Sequence, residues 1–186
     1  MLDWFDTAQQ IPTDALAGDV AAQFKLGLMY RTGDYVVQDY AQALEWFGKA
    51  ATQKYIAAYR ELGEMYFSGY GVKDDKGYAL QWFRKAALRG DVAAQVKLGK
   101  IYRADMNYAQ ALFWLKQAAV QKDADALYTL GWMFNWGEGV KLDKEQAWMW
   151  FERAAAQGHK EAQLSCETRR KQITGMSDQE KHTTSS

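Results

Sequence analysis

The chain contains one cysteine, Cys166, and one proline, Pro12, in 186 residues. A lone thiol excludes an internal disulfide and a cysteine-built zinc site, and a sequence nearly free of proline lacks the main interrupter of helices. No charge of one sign dominates: Lys plus Arg and Asp plus Glu number 23 each, so bulk electrostatics give no pull towards a polyanion and no nucleic-acid partner is expected. Apolar runs are short of the roughly 20 residues that span a bilayer. The opening MLDWFDTAQQIPTDALAG shows no basic start followed by an apolar stretch, so no signal peptide is expected. These absences point to a cytoplasmic protein without a membrane partner.

What the chain has is apolar residues (48%) and aromatic ones (15%), enough for one folded domain. It also repeats itself. ALEWFGKAA (43–51) returns as ALQWFRKAA (79–87), ALFWLKQAA (111–119) and AWMWFERAA (147–155). Leu26-Gly27, Leu62-Gly63, Leu98-Gly99 and Leu130-Gly131 keep the same beat, separated by 36, 36 and 32 residues. A period in the mid-thirties marks stacked supersecondary units, each too small to bury its own apolar face.

Each unit reads as two helices. Ala22, Leu26, Met29 and Tyr30 recur at helical spacing as Ala58/Leu62/Met65/Tyr66, Ala94/Leu98/Ile101/Tyr102 and Ala126/Leu130/Met133/Phe134. In the second helix Tyr40, Ala43, Leu44, Phe47, Ala50 and Ala51 share one face, opposite Gln42, Glu45 and Lys49. Asp39, Asp75, Asn107 and Asp143 stand as N-caps of the second helices. Gly18-Asp19, Gly90-Asp91 and Gly158-His159 pair a helix-ending glycine with a cap for the next helix. The loops SGYGVKDD and NWGEGVKLD carry two glycines; RTGDYVVQD has Tyr35 in place of the second, and RADMN is four residues shorter.

The pattern LGxMYxxGxGVxxDxxxAxxWFxKAAxxG resembles the Sel1-like repeat, a relative of the tetratricopeptide repeat. The resemblance implies an all-α fold, an α/α solenoid with first helices on a concave face and second helices on the convex one. The expected organisation is an N-terminal cap at 1–18, in which Trp4-Phe5 echo the repeated pair, and a solenoid at 19–173. Its repeats fall at about 20–55, 56–91, 92–123 and 124–159, with a half-repeat at 160–173 (HKEAQLSCETRRK from His159) and a disordered polar tail at 174–186. The family implies a non-enzymatic adaptor or scaffold, here taken as bacterial, that binds a protein or peptide.

Catalytic constellations are scarce. His159 fills a slot held elsewhere by Asp19, Asp91 and Asp123, and His182 lies in the tail. Cys166 aligns with Leu26 and its equivalents, an inward apolar slot. No GxxxxGK[ST], GxSxG or HExxH motif occurs. No enzyme, cofactor, metal site or small-molecule substrate is expected. A dedicated inhibitor, such as a toxin-neutralising immunity protein, is the alternative; an enzyme acting on β-lactam or peptidoglycan-like substrates ranks below both.

The candidate site is the first-helix face opposite the packing stripe: Phe24, Leu28, Arg31, Arg60, Glu64, Phe67, Lys100, Arg103, Tyr128, Trp132, Asn135 and the neighbouring Trp136. These positions vary between copies while the stripe does not. The expectation is a groove with cations at Arg31, Arg60, Lys100 and Arg103 for acidic groups, and an apolar anchor at Trp132 and Trp136. The four repeated tryptophans are expected to join helices instead.

Overall fold

The computed structural model describes residues 3–183, and their side chains from 10 to 171. Among the described residues ten helices follow one another: α1 (Asp3–Leu16), α2 (Val20–Thr32), α3 (Tyr40–Thr52), α4 (Ile56–Ser68), α5 (Lys76–Ala87), α6 (Val92–Ala104), α7 (Tyr108–Val120), α8 (Ala124–Trp136), α9 (Lys144–Ala156) and α10 (Lys160–Thr183). Among the described residues there is no strand, and the fold is an all-α solenoid of helical hairpins. The chain divides into two compact units, 1–94 and 95–186, with the division in the first turn of α6. The side chains of Trp4-Phe5 and of the expected tail 174–186 lie outside those described, while α10 runs on through the tail to Thr183.

The caps explain where helices begin. The Asp19 carboxylate accepts the Ala22 amide at 2.6 Å, Asp91 accepts Ala94 at 2.8 Å and Asp123 accepts Ala126 at 2.8 Å. Asp39, Asp75, Asn107 and Asp143 cap the second helices in the same way. Each satisfies one of the four amides that a helix start leaves without a partner. His159 joins this series, its Nδ1 accepting the Ala162 amide at 3.3 Å. Tyr55 begins α4 without a side-chain cap.

The Leu-Gly pair and the Trp-Phe pair interlock. A Cβ added to Gly27, Gly63, Gly99 or Gly131 would stand 2.7 Å or less from Phe47, Phe83, Leu115 or Phe151 of the partner helix. Only glycine lets the ring lie against the backbone, and Phe47, Phe83 and Leu115 are fully buried in consequence. The second loop glycine does a related job between hairpins. A Cβ on Gly71 or Gly139 would lie 2.6 Å or less from Tyr40 or Tyr108, at the start of the preceding second helix, and both glycines are also left-handed, with φ of 73° and 69°. Tyr35 occupies this slot in the first loop at φ 66° with its side chain 68% exposed. It is preceded by α1 and not by a full hairpin, so the close approach that demands glycine does not arise there.

The tryptophans pack as joints. Trp46 (7% exposed) belongs to a cluster with Ala15, Ala22, Leu26 and Met29, linking α3 to α2 and α1. Trp150 packs among Leu127, Ala154, Ala162 and Ala119, reaching both neighbouring hairpin elements. Lys49, Lys85 and Arg153, one turn on, lie over the rings of Trp46, Trp82 and Trp150 at 3.9, 3.9 and 4.9 Å from the centroids.

Candidate functional site

In unit 1 the variable face of the first helices carries Phe24, Leu28 and Arg31 on α2, and Arg60, Glu64 and Phe67 on α4; all are half-buried. Phe24 is committed to packing, its ring 5.6 Å from Phe47 and 4.9 Å from Tyr55. Phe67 meets Phe83 edge-on at 6.4 Å. The two arginines converge on one carboxylate: Arg31 and Arg60 each lie 3.3 Å from Glu61, which is only 6% exposed, and Arg60 also reaches Asp91 at 3.3 Å. Removing a carboxylate from water needs such neighbours.

In unit 2 the same face carries Lys100 and Arg103 on α6 and Tyr128, Trp132, Asn135 and Trp136 on α8. Lys100 donates to Asp125 at 2.6 Å, and Arg103 grips Glu138 through two bonds of 2.5 and 3.1 Å. The Lys100 ammonium, chiefly by that hydrogen bond, holds the Asp125 carboxyl below the usual carboxylate range. His159 Nε2 approaches the other Asp125 oxygen at 3.6 Å, and its ring stacks on Tyr128 at 4.0 Å.

The expected cations are therefore present but matched within the chain. Arg31, Arg60, Lys100 and Arg103 all contact carboxylates of this protein; Arg31, Lys100 and Arg103 reach the following repeat, while Arg60 pairs within 56–91 with Glu61 and Asp91. Within each unit the face is held by a ladder of such pairs. Sequence reasoning missed Glu61, Asp91, Asp125 and Glu138 as its partners; Asp91 was accounted for as a cap and Glu138 as a loop residue. Glu61 differs: it interrupts the slot that Lys25 and Lys97 fill, and a charge reversal against the repeat was the available signal.

The apolar end is better formed. Trp132 and Trp136 stack with centroids 5.9 Å apart and planes 10° off parallel. Trp132 leans edge-on against Phe151 at 5.3 Å, and Tyr128 touches both Trp132 and Phe151. Trp136 itself is 63% exposed. Indole pairs held rigid by a core beneath them suit the capture of an apolar side chain. Cys166 is buried against Ala147 and Phe151, and desolvation pushes its thiol up, away from thiolate chemistry. Among the described residues no cluster of His, Cys, Asp and Glu could hold a metal, and no helix is long and apolar enough to cross a membrane.

Interlocked hairpins with a conserved packing stripe inside one chain and a variable first-helix face define a helix-turn-helix repeat protein. The chain belongs to the Sel1 repeat family: the Sel1 repeat model matches residues 20–55, 56–91, 92–123 and 124–159. Among solved structures it is similar to a protective antigen of uropathogenic Escherichia coli that displays an SLR fold, at 34% identity and TM-score 0.81, over 88% of this chain and 36% of that one. A Sel1 repeat protein from Oxalobacter formigenes is 32% identical with TM-score 0.74, over 79% of this chain and 62% of that one. An immunity protein from Pseudomonas aeruginosa, 24% identical with TM-score 0.58 over 87% of this chain and 61% of that one, shares the fold. The chain thus spans about a third of the first of these proteins and less than two thirds of the second. A comparison with curated proteins returned no match.

Proposed function

We infer that this protein is a non-enzymatic adaptor of the cytoplasm that binds a protein or peptide segment on its first-helix face. The observation that carries the reading is the stacked pair Trp132 and Trp136. In the other repeats these positions hold Leu28/Thr32, Glu64/Ser68 and Lys100/Ala104, so the pair serves no need common to all hairpins. An exposed indole on a rigid aromatic base is the residue type that dominates interface energy. The matched cations change the expected partner chemistry. A ligand anchored at Trp136 needs an apolar side chain there, and acidic groups would have to compete with Glu61, Asp91, Asp125 and Glu138 for the ladder. The inhibitor alternative rests on the name of a neighbour whose 24% identity supports the fold alone.

The test is affinity purification of the native partner with wild type and with Trp136→Ala. Truncating the exposed ring should leave helicity and melting temperature unchanged and weaken capture at least tenfold, the ~1.4 kcal/mol or more expected of an anchor residue. Equal capture by the two proteins would remove the assignment. Reversal of Arg60 is the poorer probe, since a glutamate there would stand beside Glu61 and Asp91.

A further inference from the structure

Parts of the two units can be compared residue by residue. Trp46 and Trp114, Leu62 and Leu130, and Trp82 and Trp150 are each 68 residues apart (114−46, 130−62, 150−82), so α3 to α5 and α7 to α9 share one register. In every repeat a residue early in the first helix corresponds with the one that follows the second helix. Three repeats tie this pair together. Gln53 donates to Gln23 at 2.9 Å, the Arg89 guanidinium lies 5.1 Å from the Tyr59 ring centroid, and Gln121 donates to Gln95 at 3.0 Å. In unit 1 Tyr59 also stacks on Trp82 at 5.9 Å.

The fourth repeat has Leu127 and Gln157 at these positions, and no bond joins them. Ala156 stands where unit 1 has Leu88. Three shorter side chains leave a cavity of about 570 Å³ between α7 and α9, walled by Val120, Leu127, Trp150 and Ala156. Its polar lining is Lys116, Lys122, Arg153 and Gln157, all exposed, with no carboxylate. Lys116 replaces Gly48 of unit 1, so one cation is an addition of this copy. Among the described residues neither lysine nor Arg153 forms an ion pair, in contrast to the first-helix cations; Arg153 lies over Trp150. The Trp150 indole N–H is buried without a partner, but so are those of Trp46, Trp82 and Trp114, and that feature belongs to the repeat.

We propose that this cavity is a binding site for a small amphiphilic carboxylate. Its hydrocarbon or aromatic body lies against Leu127, Trp150, Val120 and Ala156, and its carboxylate is held by Lys116, Lys122 and Arg153. The volume falls within the ~300–1,000 Å³ of small-molecule sites, which are apolar with a few placed polar groups. Unpaired cations beside an apolar wall favour an anion with an apolar tail over a fully hydrated one. The site lies chiefly on the second helices α7 and α9 and shares no residue with the first-helix face described above, so its standing is independent of the protein-binding reading.

The experiment uses the full chain, isotope-labelled, titrated with decanoate below its micelle concentration, with decylamine and decanol as comparators. The indole N–H resonance of Trp150, assigned through Trp150→Phe, should shift saturably with decanoate. Decanol should bind at least tenfold more weakly, and decylamine should produce no shift. Lys116→Glu with Lys122→Glu should weaken decanoate at least tenfold. Leu127→Tyr with Ala156→Leu, which installs the residues of unit 1, should abolish the shift. Absence of a saturable shift, decylamine or decanol matching decanoate, or undiminished binding by the filled variant would each overturn the proposal. If the filled variant fails to fold, the exposed lysine pair decides, and undiminished binding there overturns it equally.

Discussion

Unit 1 and unit 2 are built from the same hairpin, yet they spend their variable positions differently. Unit 1 fills: Tyr59 stacks on Trp82 with the Arg89 guanidinium over the Tyr59 ring, and its first-helix arginines close on the buried Glu61. Unit 2 opens: Leu127, Ala156 and Gln157 leave a cavity beside Trp150, and Trp136 stands out from its helix. The shared framework, glycine under phenylalanine and aspartate before helix, tolerates either choice because neither set of positions belongs to it. The variable positions thus close unit 1 more fully than unit 2 on an unchanged framework.

The sharpest way to break the contrast is to damage the framework itself. Phe83→Ala removes a fully buried ring seated on Gly63 and should cost about 3–5 kcal/mol, read as a lower midpoint in denaturant unfolding. A smaller effect should follow from making unit 1 resemble unit 2. Tyr59→Leu with Arg89→Gln deletes the ring stack and its guanidinium cover, at a loss of about 1–2 kcal/mol, and a crystal structure should show a new cavity beside Trp82. Glu61→Gln leaves Arg31 and Arg60 beside a neutral amide and should cost about 1 kcal/mol, moderated by the partial exposure of both arginines.

The smallest effect belongs to unit 2. Asp125 has its carboxyl lowered when folded, so the stability it contributes is present above the ordinary carboxylate range and is lost as pH falls through the folded value. Asp125→Asn should flatten the acid limb of a plot of unfolding midpoint against pH and change little at neutral pH, because both partners are about half exposed. An acid limb identical to wild type would detach this pair from the ladder.

The fold was legible because its determinants are local and repeat. Leu-Gly with Trp-Phe is a statement about two facing helices, and four copies make it unmistakable. Cys166 in a leucine slot and His159 in an aspartate slot were readable by alignment alone. The candidate site was legible only as a set of positions. That Phe24 would turn in beside Phe47, or that Arg31 would find Glu61 of the next hairpin, depends on how the helices pack in space, which the repeated pattern does not spell out. The cavity beside Trp150 was hidden for another reason: it arises from three residues being small, and a missing bulk shows only against a copy in which the space is filled. The pairing of Trp132 with Trp136 was visible because both residues depart from the repeat.

All four hairpins close with the same backbone hydrogen bond, whatever the length between its ends. The amides of Asp39, Asp75, Asn107 and Asp143 donate to the carbonyls of Tyr30, Tyr66, Tyr102 and Phe134 at 2.8–3.0 Å. The third loop, four residues shorter and turned through Met106 at φ 58°, reaches the same closure as the others. The number of residues enclosed by this bond thus differs between loops while the helices on either side meet at the same closure, so loop length and hairpin geometry are set independently.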